Sequence, residues 1–131
     1  MRQIVKAIDI EKALADALNI STTPIPADMP PYTPYSVVVA SGGSRTQMVV
    51  DTHTCDIDTW GDTFGQAMDK SCELIGLLTD LAGRVVNGIV FSHVAIDTLP
   101  YIWNDPDRPD LCRVTCSATV TIHAPVVEIS D

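Results

Sequence analysis

The sequence predicts an α+β fold: a mainly antiparallel sheet of about four strands, packed by one long helix and preceded by an N-terminal helix. Residues 112–124 alternate between apolar and polar side chains, which is typical of a half-buried strand. Residues 64–81 carry an apolar stripe at helical spacing. Residues 35–40, YSVVVA, are rich in strand-forming side chains. The predicted order is α-β-β-α-β-β, in one domain over residues 1–131.

Composition limits the possible function classes. The chain has 131 residues, of which 46% are hydrophobic and 19% charged, as expected for one globular domain. The formal charge of −9 is spread along the chain, which argues against tight binding to nucleic acid phosphates. The N-terminus lacks the pattern of a signal peptide, so we expect folding in a cytoplasm. No apolar run is long enough to cross a bilayer, so we expect no membrane partner.

The first helix is predicted over residues 2–19, followed by a proline-rich segment. Either Asp9 caps a helix that begins at Ile10, or residues 2–8 extend that helix backward by two turns. Asn19 is a suitable end. Residues 24–34 hold five prolines and are therefore neither helix nor central strand. We interpret them as a connector rather than as a proline-rich recognition ligand.

Two strands, at residues 35–40 and 46–58, are predicted to form a hairpin that turns at Gly42 and Gly43. Glycine supplies the positive φ that such turns need. A phosphate-binding loop is the alternative, but that loop would lead into a helix. Here the glycines lead into a second β-rich run. The sequence therefore favours a hairpin turn.

The second strand of this hairpin has a break in its alternation. Met48 and Val50 share one face, whereas the apolar residues from Cys55 onward have the opposite parity. Both sets can face the same core only if the strand contains a bulge. We predict that bulge within Asp51–Thr54, with a solvent-facing His53.

The main helix is predicted to begin at a cap formed by Asp62 or Thr63 and to end at Gly83. Its apolar residues predict one core-facing stripe that includes Cys72 and therefore makes this thiol a core residue. The stripe consists of Phe64, Ala67, Met68, Cys72, Ile75 and Leu78, widened by Leu74, Leu77 and Leu81.

A third strand is predicted over residues 88–97, followed by a loop over residues 98–110. The loop places Asp105, Asp107 and Asp110 around Arg108. The first two have the spacing of a calcium-binding loop, but the glycine and glutamate that such a loop needs at its sixth and twelfth positions are missing. We therefore expect a solvated or docking loop and no metal.

The last strand contains both cysteines of the segment PDLCRVTCSATVTIHA. Cys112 and Cys116 lie on its apolar face, and His123 lies on the polar face. Four residues of a strand span about 13 Å, too far for a disulfide or a shared metal ligand. We therefore expect free thiols. No catalytic motif is found, so we predict no enzyme activity, no catalytic residues and no cofactor.

The chain resembles the tail terminator, or tail completion, proteins of long-tailed bacteriophages. The resemblance rests on the segment Ser41-Gly42-Gly43, the passage from Asp56 to Gly61, Ala67 in the helix, and the proline–aspartate loop that leads to Arg113-Val114-Thr115. It covers nearly the whole chain.

The resemblance implies a structural virion protein, assembled in the host cytoplasm and located in the tail near the head–tail junction. Such proteins form a ring, commonly a hexamer, that caps the tail tube, ends its elongation and joins it to the head–tail connector protein. The partners would be other copies of the chain, the tail tube protein and the connector. DNA would pass through without specific binding, which negative charge favours.

Loops are the natural docking elements of such a ring. We therefore expect subunit or tube contacts at Gly42, Gly43 and Arg45, and in the loop at Asp105, Asp107, Arg108 and Asp110.

Three alternatives stay open: another head–tail connector or tail tube protein, a small cytoplasmic enzyme with a ligand-filled pocket, and a monomeric binding module. Tube proteins usually carry a long hairpin toward the lumen, and the predicted hairpin is short at its turn.

Overall fold

The structure is a computed structural model that describes residues 1–22, 34–104, 106 and 112–130. Within these residues it contains two helices and eight strands. The helices are α1 (Ile10–Leu18) and α2 (Phe64–Leu81). The strands are β1 (Arg2–Val5), β2 (Ser21–Thr22), β3 (Tyr35–Gln47), β4 (Val50–Gly61), β5 (Arg84–Val86), β6 (Ile89–Ile102), β7 (Cys112–His123) and β8 (Val126–Ile129).

The main sheet has six strands in the order β2-β3-β4-β7-β6-β5 and curls into a half-barrel. Its pairs are antiparallel except β2 with β3. A second, two-stranded sheet joins β1 to β8. The predicted fold, about four strands with one long helix in the order α-β-β-α-β-β, is therefore wrong. The additional strands have two to four residues each, too few to show a clear period in the sequence.

The N-terminal helix is shorter than residues 2–19. Asp9 caps it by accepting a hydrogen bond from the Lys12 amide at 3.2 Å, so the helix begins at Ile10. Asn19 ends it with a left-handed φ of 57°, as predicted. The backward extension is wrong, because Arg2–Val5 pair with β8 near the other end of the chain.

The β3–β4 hairpin is longer than predicted. Strand β3 continues through Gly42 and Gly43 to Gln47, and the turn lies at Met48 and Val49. The predicted turn at the glycines is therefore wrong. Gly42 does have a positive φ of 110°, but it uses that conformation in a bulge.

The parity break in β4 has a different cause from the predicted bulge. The register of β4 with β7 is continuous, and the bulge lies in β3, between Ala40 and Gly42. Met48 belongs to the turn and is 82% exposed, so it places no constraint on the strand faces. His53 is half-buried on the same face as Cys55, rather than solvent-facing at a bulge.

The long helix begins at the predicted cap. The Thr63 hydroxyl accepts a hydrogen bond from the Gln66 amide at 3.0 Å, and the Gln66 side chain accepts one from the Asp62 amide at 2.6 Å. Gly83, just after the helix, has a φ of 84°, as expected for a terminal glycine.

The phase of the α2 stripe differs from the prediction. The side chains that face the sheet are Ala67, Ser71, Leu74, Leu78 and Leu81. Cys72 lies one position away from this stripe and is exposed, so the prediction that it belongs to the core is wrong. Helix α2 packs on β4, β6 and β7, and the main core lies between this sheet face and the two helices.

The predicted last strand is confirmed. Strand β7 starts at Cys112, and its apolar residues from Val114 to Ile122 are 0–2% exposed. The residues predicted as the start of a loop, 98–102, instead continue strand β6. Pro100 is accommodated where the β6–β7 register is irregular, between Thr98 and Tyr101.

Candidate assembly interface

The predicted contact residues in the hairpin lie side by side on strand β3. Gly42, Gly43 and Arg45 follow the bulge and lie in the second half of β3, before the hairpin turn rather than in it. The other predicted contact residues, Asp105, Asp107, Arg108 and Asp110, lie outside the described residues. Of the predicted contact residues, the described part of the chain therefore includes Gly42, Gly43 and Arg45.

Gly43 holds β3 unusually close to β4. A Cβ atom at this position would lie 1.9 Å from the backbone oxygen of Thr52. Such a distance is far inside van der Waals contact, so any side chain here would push the two strands apart. The glycine therefore fixes the local position of the outer strand.

Arg45 and Asp51 are direct partners across the hairpin. The Arg45 side chain donates to both carboxylate oxygens, with distances of 2.5 Å from Nε to Oδ1 and 2.8 Å from Nη2 to Oδ2. Its third donor, Nη1, reaches the Val5 carbonyl oxygen at 3.1 Å. Hydrogen bonding from Arg45 lowers the pKa of the Asp51 carboxyl. The pair ties the hairpin to the end of β1.

An open depression of about 530 Å³ lies beside this pair and is lined in part by Val5, Gly43 and His53. The Nε2 atom of His53 is buried and has no hydrogen-bond partner among the described residues. Burial lowers the pKa of the imidazole, with the negative charge of Asp51 acting in the opposite direction. Because Nε2 is enclosed, this nitrogen is poorly placed to exchange a proton with a molecule in the depression.

The outer edges of the main sheet are mostly uncovered by the strands that the structure describes. Strand β2 covers β3 only at Val37 and Val38, and β5 covers β6 only over Ile89–Phe91. Two bulges bound a regular open stretch, Gly42–Arg45, in β3. Two bulges likewise bound a regular open stretch, His93–Ile96, in β6. Each edge thus offers four residues of regular strand, and we call them the β3 stretch and the β6 stretch.

The two stretches lie at the same height on the sheet. Gly43 pairs with His53, His53 pairs with Val120, and Val120 pairs with Val94. The same sequence of pairs places Ser44 level with His93 and Gly42 level with Ala95. Three antiparallel pairings separate β3 from β6, so these two strands run in opposite directions.

The far end of β6 carries exposed apolar side chains. Leu99 is 67% exposed, and Tyr101 and Ile102 are also exposed. Beside them, the Arg113 guanidinium lies 4.2 Å from the Trp103 ring centroid and 5.2 Å from that of Trp60. This end of the sheet is opposite to the end that carries the hairpin turn.

The Arg113 side chain is anchored as well as stacked. Its Nη2 donates to Asp58 Oδ2 at 2.9 Å, and both side chains are largely buried. The Arg113 carbonyl oxygen accepts a hydrogen bond from the Trp103 amide at 3.0 Å. These contacts fix the end of β6 next to β7, where the sequence predicts only a loop.

The two buried cysteines, Cys55 and Cys116, are poor candidates for a nucleophile. Burial raises the pKa of Cys55 to about 12 and also raises the pKa of Cys116. All four thiols are free. No group of three His, Cys, Asp or Glu side chains in the described part of the chain is arranged to hold a metal ion.

One sequence signal could have found part of the missed sheet. Asn87 and Gly88 both have positive φ values and join β5 to β6 in a two-residue turn. Asn-Gly between apolar residues is a strong hairpin signal. The matching heights of the two open stretches could not have been found in this way, because they depend on strand pairing across the whole sheet.

In the described residues, neither helix is apolar over a length that would cross a membrane. Compared with known proteins, the sequence matches no protein-family model and no curated protein.

Proposed function

We propose that the chain is a structural subunit that assembles with other copies of itself, head to tail, by pairing the β3 stretch of one copy with the β6 stretch of the next. The observation that carries this proposal is the equal height of the two stretches on the sheet. A cyclic assembly relates neighbours by rotation without translation along the axis, so edges that meet in a ring must match in height.

Strand direction supports the same arrangement. Strands β3 and β6 run in opposite directions within one copy, so rotation about an axis roughly along the strands brings them together as an antiparallel pair. A half-barrel has two open edges, and pairing them between copies satisfies backbone groups that otherwise depend on water. The bulges on each side limit the pairing to about four residues.

The biological role we propose is that of a phage tail terminator, a ring that caps the tail tube, ends its elongation and joins the tail to the head connector. The net charge of −9 supports this role, because a negative lumen lets DNA pass without adhering. The exposed Met48 turn and the exposed Leu99 end of β6 lie at opposite ends of the sheet, and a ring between two different partners needs two such surfaces. Six copies is the ring size that the resemblance implies.

A tail tube protein is the second candidate, and one observation favours it. The hairpin has 13 residues in β3 and 12 in β4, joined by a two-residue turn, and is not the short hairpin predicted from the glycines. Tube proteins use a long hairpin of this kind. A tube protein would polymerise into long tubes, whereas a terminator would stop at single rings.

Sedimentation velocity and electron microscopy of the purified chain test the assembly. We expect closed rings of small subunits for a terminator and extended tubes for a tube protein. A compact monomer at high concentration, also after addition of tail tubes, would overturn the proposal.

A cysteine pair tests the interface itself. Ser44→Cys and His93→Cys are introduced together on a Cys72→Ser background, so that no native exposed thiol competes. Within one copy, these positions are three strand spacings apart, roughly 14 Å along the sheet, which exceeds disulfide reach. We therefore expect disulfide-linked oligomers from the double variant and none from either single variant. Rings that form without this cross-link would show that other surfaces make the contact.

A further inference from the structure

We infer that Glu11 regulates this assembly by occupying the place that a neighbouring strand would take on the edge of β3. Glu11 lies in the first turn of α1, and its Oε2 accepts a hydrogen bond from the Ala40 amide at 2.9 Å. Backbone hydrogen bonds between neighbouring strands of a sheet have the same donor–acceptor distance. The inference rests on the proposed function, assembly by pairing of sheet edges, and adds a regulatory contact to it.

The position of Ala40 makes this contact relevant to pairing. Because its amide donates to a side chain of α1, it points away from β4 and toward the outer edge of the sheet. Ala40 pairs with Cys55, Cys55 with Ala118, and Ala118 with Ile96. Ala40 is therefore level with Ile96, the last residue of the β6 stretch.

Complete pairing of the β6 stretch thus requires Glu11 to release the amide. Three of its four residues lie level with Ser44, Gly43 and Gly42, which are exposed. The fourth, Ile96, would meet an amide that a carboxylate already holds. A hydrogen bond to a carboxylate is stronger than one to a neutral carbonyl, so the internal contact competes effectively with the incoming strand.

The consequence is a subunit whose edge is partly blocked until assembly. Natural sheets protect open edges with charged side chains, because an unprotected edge recruits other strands. Here the charged side chain comes from a helix and covers one donor at the end of the pairing region. Removing it should lengthen the pairing and tighten self-association.

Three variants test this inference. Glu11→Ala removes the acceptor, Glu11→Gln keeps a neutral oxygen acceptor, and Asp16→Ala makes the same change of charge at an exposed position of α1. We measure the dissociation constant of self-association by sedimentation velocity, and the yield of the Ser44→Cys/His93→Cys cross-link in each variant. We expect Glu11→Ala to lower the dissociation constant about tenfold, Glu11→Gln to lower it less, and Asp16→Ala to change it less than about twofold.

The outcomes separate this inference from the proposed function. An unchanged or raised dissociation constant in Glu11→Ala, with the cross-link intact, overturns the role of Glu11 and leaves edge pairing in place. If the Ser44→Cys/His93→Cys cross-link fails to form in every variant, and also when Glu11 is unchanged, edge pairing itself is overturned. If thermal unfolding shows that Glu11→Ala does not fold, Glu11→Gln decides: a tighter association supports the inference, and an unchanged one overturns it.

Discussion

Arg45 and Asp51 face each other across the β3–β4 hairpin and are joined by two parallel hydrogen bonds of 2.5 and 2.8 Å. The geometry matches the planar guanidinium to the planar carboxylate, the strongest arrangement that such a pair can adopt. The Asp51 side chain is 7% exposed, so the Arg45 guanidinium replaces much of the stabilisation that water would give to the carboxylate. The pair is therefore a structural element of the open half of the hairpin, next to the proposed interface.

Replacing Asp51 by Asn should make stability less sensitive to acid. The pKa of Asp51 is lowered in the folded state, so its contribution is present above about pH 4–5 and is lost as the pH falls through that lowered pKa. We expect Asp51→Asn to lower the melting temperature by a few degrees at pH 7 and by much less near pH 3. Thermal unfolding across this pH range measures the effect.

Asp80→Asn is the matched control, because the Asp80–Arg84 pair is well exposed on both sides. Exposed pairs contribute little, so this variant should follow the native curve at every pH. Equal behaviour of the Asp51 and Asp80 variants would contradict the structural role of the Arg45–Asp51 pair.

His53 should make the folded protein less stable in mild acid. Its pKa is lowered in the folded state, so the unfolded chain binds the proton more readily. Stability is therefore expected to fall as the pH drops from about 7 toward 5, and His53→Gln should flatten that part of the curve. Urea unfolding at several pH values provides the measurement. His123→Gln, which changes an exposed histidine, is the control. If both variants keep the pH dependence of the native protein between these pH values, the burial of His53 does not destabilise the fold in mild acid.

Gly43 and Gly76 should respond in opposite directions to alanine. At Gly43 the new Cβ would meet the Thr52 oxygen at 1.9 Å, whereas at Gly76 nothing lies within 4 Å. We expect Gly43→Ala to lower the free energy of unfolding by more than about 2 kcal/mol. We expect Gly76→Ala, within helix α2, to raise it by up to about 1 kcal/mol. Chemical denaturation measures both. A neutral Gly43→Ala would show that the two strands can separate without cost.

These residues also show which parts of the fold can be predicted from sequence. Strand β7 was predicted correctly because its two faces differ in polarity along its whole length. The caps at Asp9 and Thr63 were predicted because a cap depends only on residues within one turn. Strand β1 was missed because its partner, β8, lies at the other end of the chain.

Two errors had a different physical origin. A positive φ at Gly42 suits a hairpin turn and a bulge equally, and only the pairing with β4 decides between them. In α2, apolar residues lie on more than half of the helix surface, so two phases of the stripe were possible. Packing against the sheet selects the phase in which Ser71 is buried, with its hydroxyl 3.6 Å from the Cys116 sulfur. In this phase Cys72 is exposed to solvent.

The cysteines should differ strongly in reactivity. Cys72 is exposed, whereas Cys55 is buried with its pKa raised from 9.0 to about 12. A shift of this size reduces the thiolate fraction of Cys55 by about a thousandfold near pH 8. We expect iodoacetamide to modify Cys72 first in the native protein, while Cys55 and Cys116 react only after unfolding in urea. Mass spectrometry of the labelled peptides measures the order, and early labelling of Cys55 would contradict the burial.

Arg113 should stabilise the end of β6 mainly through its planar group. The guanidinium stacks on Trp103 and binds Asp58, and the Arg113 side chain is only 17% exposed. Lysine keeps the charge but loses the planar stacking and the fork of donors. We therefore expect Arg113→Lys to lower the free energy of unfolding by about 1–2 kcal/mol. Urea denaturation measures the change, and tryptophan emission reports on Trp103 together with Trp60.

A double-mutant cycle shows whether the stack itself carries this energy. Trp103→Leu removes one ring, and the cycle compares it with Arg113→Lys alone and with both changes together. Because the two groups touch, the losses should be non-additive by about 0.5–1 kcal/mol. The Asp80–Arg84 pair, whose two side chains are both exposed, supplies the control cycle, with an expected coupling near zero. Additive losses for Arg113 and Trp103 would assign the stabilisation instead to the contacts of Arg113 with Asp58 and Trp60.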